Sequence, residues 1–291
     1  PALMAAVEHS AVRESSERWA STVVTVGVDR SGRIDPGQVA AALGRGPVSL
    51  VQCQLANHEV GTLQPVLEIA ELCRRHGSLL HVDAAAAASH VAIDFDRSGV
   101  DLMSVSAHKM GGPRGVGALL VRRGLRITPF IVGGSQERAR RGGLENLPAA
   151  VGFGAAAAEL SGPGALEAEA GAAAGLVDRL RSAVAGIADL EFYGPADPAG
   201  RLPHLLCLGI GGVEAEPVLL GLDPAGVAAH SGSSCSSEAL EPSPVLEAMG
   251  VDGERSLRLS VGWSTTPADV ERAAAALPGI VARLRALRTG G

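Results

Sequence analysis

Between residues 47 and 55 the chain reads Pro-Val-Ser-Leu-Val-Gln-Cys-Gln-Leu, a short apolar run bounded by turn residues, and this predicts a buried strand. From Pro65 to His76 the apolar positions Val66, Ile69, Ala70 and Cys73 recur at helical spacing, with proline at the start and Gly77 just beyond the end, so a helix is expected. Leu79 to Val82 predicts a second strand, and Asp101 to Ser106 and Gly117 to Val121 predict two more. Strands separated by helices or long loops describe an α/β sheet of largely parallel character. In such sheets ligands gather at the carboxyl ends of the strands. Asp83 and the Ser106 to Lys109 segment both follow strand ends, so the pattern places them on one rim.

Past residue 145 the pattern changes. Ala/Glu/Leu-rich helices near 146 to 160 and 165 to 187 are split by Gly162-Pro163-Gly164. Strands are expected near 189 to 193, 204 to 210, 226 to 229 and 256 to 262, with helices near 214 to 221, 243 to 249 and 267 to 288. The expected architecture is a large α/β domain over residues 1–162, with a mixed, mostly parallel sheet, and a smaller C-terminal α+β domain over 163–291. No internal repeat is present.

Composition narrows the function classes. A 46% hydrophobic share with 19% charged residues can fill a real core, unlike the composition of disordered chains. The net charge of -6 offers no footprint for nucleic acid or an anionic membrane. Cys53, Cys73, Cys207 and Cys235 are too few and scattered for a disulfide framework and form no C-x-x-C pair, so neither a structural disulfide nor a metal site is expected. Neither a membrane-spanning apolar stretch nor a signal-peptide pattern is read in the sequence, which leads to the expectation of a cytoplasmic protein. The 25 basic residues contain a single lysine, Lys109, in a chain that otherwise uses arginine.

That lysine lies in Ser106-Ala107-His108-Lys109-Met110-Gly111-Gly112, a strand end entering a glycine-rich loop. A lysine so placed can form a Schiff base with an aldehyde cofactor, although most lysines are simply solvated. Asp83 can either cap a turn or pair with a protonated pyridine nitrogen. Cys235, in Ser231-Gly232-Ser233-Ser234-Cys235-Ser236-Ser237, sits in a polar segment unable to bury a thiol well, so it is the cysteine expected to react. The other three fall on apolar faces and read as core. Arg258 interrupts the strand pattern Ser256-Leu257-Arg258-Leu259-Ser260 and is either an ordinary strand-edge charge or a carboxylate-binding group.

Together, Asn57-His58-Glu59-Val60-Gly61, His81-Val82-Asp83-Ala84, Ser106-Ala107-His108-Lys109, Gly133-Gly134-Ser135-Gln136-Glu137-Arg138 and Ser231-Gly232-Ser233-Ser234-Cys235 with Leu240-Glu241-Pro242-Ser243 resemble the cysteine desulfurases. These are pyridoxal-phosphate enzymes of the class V aminotransferase group, with fold type I. The likeness runs from Glu8-His9 to about Leu287, and the cysteine segment is similar to the subgroup with a long mobile loop that commonly supplies iron-sulfur assembly. The resemblance implies that Lys109 carries the cofactor as a Schiff base and that Asp83 pairs with its ring nitrogen. It also implies that Ser106 and His108 contact its phosphate and that His9 stacks on the ring and moves protons. His58 addresses the ring oxygen, Arg258 and Asn57 bind substrate, and Cys235 receives sulfur as a persulfide while L-cysteine becomes L-alanine. A homodimer and a sulfur-acceptor protein are the implied partners, with no metal.

The chain departs from the family pattern at His58, at Ala86 and at Leu144, where the family usually has Asn, Gln and Thr. His58 can still donate a hydrogen bond, whereas Ala86 and Leu144 cannot. No counterpart of the family's N-terminal Gly/Ala-Thr phosphate loop precedes Glu8-His9 in the sequence. Two further readings therefore stand beside the desulfurase: an impaired or truncated homologue acting as a binding partner, and another class V activity such as selenocysteine lyase.

Overall fold

The computed structural model describes residues 1–231 and 243–289. Cys235 and Leu240-Glu241-Pro242 lie outside the described residues. The first sheet has six strands: β1 (Ala2–Ala5), β2 (Val23–Val26), β3 (Leu50–Gln54), β4 (Leu79–Asp83), β5 (Leu102–Ser106) and β6 (Gly117–Val121), in the spatial order β2-β1-β3-β4-β5-β6. Neighbours from β2 through β5 are parallel and β6 alone is antiparallel, so the expected mixed, mostly parallel sheet is present. The turn from β5 into β6 has a tight spot at Gly117, where a Cβ would come within 2.7 Å of the Val105 carbonyl oxygen.

Helices α1 (Ser10–Trp19), α2 (Pro36–Leu43) and α3 (Val66–His76) belong to the connections between these parallel strands. The predicted ends of α3 hold: Val66, Ile69, Ala70 and Cys73 are buried, and Gly77 closes the helix in the left-handed conformation at φ 69°. Downstream come the one-turn segment α4 (Gln136–Ala139) and then α5 (Leu147–Leu160) and α6 (Ala165–Val184), which the Gly162-Pro163-Gly164 breaker separates.

A second sheet, all antiparallel, has β7 (Leu190–Tyr193), β8 (Leu205–Ile210), β9 (His230–Ser231) and β10 (Ser256–Ser260) in the order β7-β8-β10-β9. The strand expected at 226 to 229 forms instead at His230–Ser231. Gly226, at φ 71°, closes a short turn after α7 (Ala215–Leu222), and the Val227 amide is spent on the Leu222 carbonyl. Helices α8 (Pro244–Ala248) and α9 (Pro267–Thr289) complete the chain.

Strand β8 is buried along its whole length because its two faces serve two cores. Leu206, Leu208 and Ile210 join Val177, Leu180, Leu277 and Ile280 of α6 and α9, while Leu205 and Cys207 join the core of the first sheet. The second sheet is thereby pressed against the rim of the first. Among the described residues, no helix is long and apolar enough to cross a membrane.

Candidate active site

Because β1, β3, β4 and β5 run parallel, their carboxyl ends open on one edge of the first sheet, and the candidate residues follow those ends. After β1, His9 caps α1, its Nδ1 accepting from the Ala11 amide at 3.1 Å. After β3 comes the turn Asn57–Gly61. Asp83 ends β4, with Oδ1 accepting from the Ala85 amide at 2.9 Å. Ser106 ends β5, and its hydroxyl meets Nδ1 of His108 at 2.8 Å at the start of a short 3-10 turn, Ala107–Met110, whose third residue is Lys109. Lys109 is exposed, and its carbonyl is held by the Ser89 hydroxyl at 2.8 Å.

The Asn57 turn is built for rigidity. The Asn57 side-chain oxygen accepts from the Glu59 and Val60 amides at 2.8 and 2.9 Å, its Nδ2 donates to the Val7 carbonyl, and the side chain is fully buried. The turn presents His58 beside His9, with ring centroids 5.0 Å apart in an edge-to-face arrangement. Burial, then the charges of His9, Arg258 and Lys109, push the His58 imidazole down to about 3, so it stays neutral and keeps one N–H to donate. Arg258, on β10 of the second sheet, reaches the same turn and donates to the His58 carbonyl at 3.2 Å.

Several groups at this rim escaped the sequence reading. The Glu8 carboxyl is buried under the site: Oε1 accepts from the Gln54 amide at 2.7 Å, and Oε2 is buried without a partner among the described residues. Burial, with the Asp83 charge adding to it, pushes Glu8 up to about 8. Glu59 is buried as well and pushed up to about 7, against the hydrogen bond it receives from Ser243. His90 and His204 stack face to face and are held neutral by burial, with Lys109 adding to the effect. The signals available were weak: a Glu-His pair after a strand, and serine before proline at a helix start. At α4, Glu137, Arg138 and Ala139 all take left-handed backbone, at φ 51°, 57° and 60°.

The donor set fits a pyridoxal phosphate. One side-chain amine, a strand-end carboxylate, a hydroxyl and imidazole on the exposed turn, and the paired rings of His9 and His58 all follow the carboxyl ends of neighbouring parallel strands. Ala86 and Leu144 add no donor, and Leu144 is 88% exposed. The three described cysteines, Cys53, Cys73 and Cys207, are buried, and burial raises their thiols, as expected of core residues. Among the described residues, no cluster of three or more His, Cys, Asp or Glu could hold a metal ion.

Known proteins resemble this chain over nearly its whole length. The class-V aminotransferase family model matches residues 2–273. Cysteine desulfurase IscS 1 of Archaeoglobus fulgidus is 38% identical over 98% of this chain and 75% of its own length. A cysteine desulfurase of Cereibacter sphaeroides is 41% identical over 98% of this chain and 74% of its own. The crystal structure of a NifS-like protein from Rickettsia africae superposes with a TM-score of 0.86 at 27% identity, covering 96% of this chain and 75% of that one. A rim carrying one lysine, one aspartate and paired histidines, in a chain alike over nearly all its length to these proteins, places it in the class-V aminotransferase family, among the pyridoxal-phosphate-dependent cysteine desulfurases.

Proposed function

We propose that this protein converts L-cysteine to L-alanine and takes the sulfur onto Cys235 as a persulfide for delivery to an acceptor protein in iron-sulfur or other thio-cofactor assembly. The observation that supports this most is the convergence of Lys109, Asp83, the Ser106–His108 pair and the His9–His58 pair on one strand-end rim, with Arg258 reaching in from the second sheet. Pyridoxal phosphate, when bound, supplies an electron sink at the substrate's α-carbon. Lys109 is the residue that would hold it covalently, Asp83 would keep its ring nitrogen protonated, Ser106 and His108 would bind its phosphate, and His9 would cover its ring.

The chain's own groups divide the remaining work. Arg258 binds the substrate carboxylate, and the buried Asn57 fixes the turn that sets His58. Lys109, exposed at the rim, takes and returns protons at its Nζ. The Cys235 thiolate attacks the substrate sulfur, a sulfur–sulfur bond forms and the carbon–sulfur bond breaks. The exchange consumes one cysteine and one thiol and yields alanine and a persulfide, so no outside oxidant is required.

The working unit in this reading is a homodimer in a reducing cytoplasm. The exposed apolar side chains Phe130, Val132, Leu144, Leu147 and Val151 support a second copy as a partner, and three free buried cysteines support the reducing setting. We assign residues 1–162 to cofactor binding and 163–291 to a smaller domain, which a core drawn wholly from α6, α7, α9, β8 and β10 and their neighbours supports, while Tyr193, Leu205, Cys207 and α8 pack on the first sheet. The test is alanine release from L-cysteine with a thiol reductant, in the wild type and in Cys235→Ser. Sustained turnover lost in the variant supports the desulfurase, and turnover kept in the variant overturns the role of Cys235. A chain that binds pyridoxal phosphate yet releases no alanine is the scaffold alternative, and preference for selenocysteine over cysteine identifies the lyase.

A further inference from the structure

Ser243, the first described residue after the segment that contains Cys235, donates its hydroxyl to Oε2 of Glu59 at 2.5 Å, across 184 positions of sequence, and both residues are buried. The same hydroxyl oxygen accepts from the Leu246 amide at 3.2 Å and so caps α8. Glu59 itself has little freedom, because the Asn57 side chain pins its backbone and Gly61, at φ 78°, closes the turn. Its other oxygen, Oε1, lies 3.6 Å from Nε2 of His58, whose carbonyl receives Arg258. On the opposite flank, β9 pairs with β10 so that Ser231 faces Leu257 and His230 faces Arg258. Both ends of the cysteine-bearing segment are therefore fastened to the elements that carry His58 and Arg258.

A helix cap alone does not call for this arrangement. Ser243 satisfies the Leu246 amide whether or not its hydroxyl proton is used, and a carboxyl in a buried setting is costly where an apolar side chain would pack. We propose that Glu59 is a positioning residue: through Ser243 it fixes the foot of the Cys235 segment relative to His58 and Arg258, and so sets the reach of the Cys235 thiol toward substrate sulfur. The proposal rests on the desulfurase reading. The groups facing Glu59 are His58, Arg258, Arg13, Cys207 and Ser243; burial raises its carboxyl, and the hydrogen bond from Ser243 acts against that rise.

The test uses the full chain with pyridoxal phosphate added, three single variants and the double variant Glu59→Met/Ser243→Ala. Glu59→Met removes the acceptor, Ser243→Ala removes the donor, and Glu59→Gln keeps an acceptor oxygen. Two rates are measured for each: alkylation of Cys235 by iodoacetamide without substrate, and persulfide formation in a single turnover with L-cysteine. Releasing the foot is expected to speed alkylation about threefold and slow persulfide formation about tenfold, with KM for cysteine within about twofold of wild type. Glu59→Gln is expected to stay near wild type, and Glu59→Met/Ser243→Ala to do no more than either single variant. Unchanged alkylation in both Glu59→Met and Ser243→Ala, or effects that multiply in the double variant, would overturn the proposal. Ser243→Ala also weakens the α8 cap, and Glu59→Met, which leaves the cap intact, decides the matter if the first variant fails to fold. Alkylation needs no turnover, so a wild type inactive toward cysteine defeats the functional reading while leaving this test in force.

Discussion

His90 and His204 stack with ring centroids 3.5 Å apart and planes at 18°, joining the loop after β4 to the start of β8. Nδ1 of each ring is buried with no hydrogen-bond partner among the described residues. Burial holds His90 at about 4, and burial with the His90, Lys109 and Arg258 charges holds His204 at about 3. A proton on either ring would place a charge against the other and beside Lys109, with Arg258 also acting on His204.

Acid should therefore loosen the protein from this contact. His58, His90 and His204 all have folded values below the ordinary 6.5, so the stability they contribute is full above pH 6.5 and falls as pH drops through 4 toward 3. Thermal unfolding across this range should show the decline, and His204→Phe, which keeps a ring but no titrating nitrogen, should flatten it. An acid slope unchanged in that variant counts against the stack as its source.

The buried carboxyls act in the other direction. Glu8 and Glu59, raised from 4.5 to about 8 and about 7, favour the folded state while protonated, and that contribution is lost as pH rises from 4.5 through 8. Glu8→Gln keeps the acceptor for the Gln54 amide without the charge and should remove part of the loss between neutral pH and pH 8. A variant that unfolds at the same temperature as wild type at both ends of that range contradicts this.

Loss of the only lysine side chain should be absolute for the cofactor bond. Lys109→Ala and Lys109→Arg are each expected to abolish the Schiff-base absorbance that pyridoxal phosphate gives with the wild type, because a guanidinium stays protonated. Asp83→Asn should keep the band and slow alanine release by roughly a hundredfold or more. A band that survives in Lys109→Ala would remove the cofactor assignment.

Arg258→Ala removes both a proposed carboxylate partner and the bond to the His58 carbonyl. KM for cysteine should rise at least about tenfold, the value of one hydrogen bond between charged groups. Arg258→Lys should recover only part, since an ammonium lacks the two-pronged geometry. Equal KM values in the wild type and Arg258→Ala would assign the arginine to structure alone.

Strain at α4 gives a prediction of opposite sign. Ala139 is exposed and takes φ 60°, a conformation that glycine adopts without the clash a Cβ suffers. Ala139→Gly should stabilise the fold by about 1 kcal/mol, or about 2 °C in Tm for a chain of this size. A lower Tm would mean that the left-handed turn is not the conformation in solution.

The first sheet was legible where apolar runs were bounded by clear stops: β6 forms over the predicted residues and α3 ends at its glycine. The first forty-six residues carried no such signal. β1 is four small or apolar residues whose strand character comes from β2 and β3 on either side, and α1 buries only Val12 and Ser16. At the site, Asp83, Ser106 and Lys109 could be placed together because strand ends in a parallel sheet share an edge. The partners that cross between the sheets could not: Ser243 finds Glu59 and His204 finds His90 only after β8 has been pressed against the first core, and neither meeting leaves a periodic trace.

A sequence that uses arginine everywhere except at an exposed Lys109 makes the molecule its own reporter. An amine-selective reagent has one side chain to find, so the fraction of Lys109 it fails to modify measures how much of the rim is occupied, without a label introduced anywhere else.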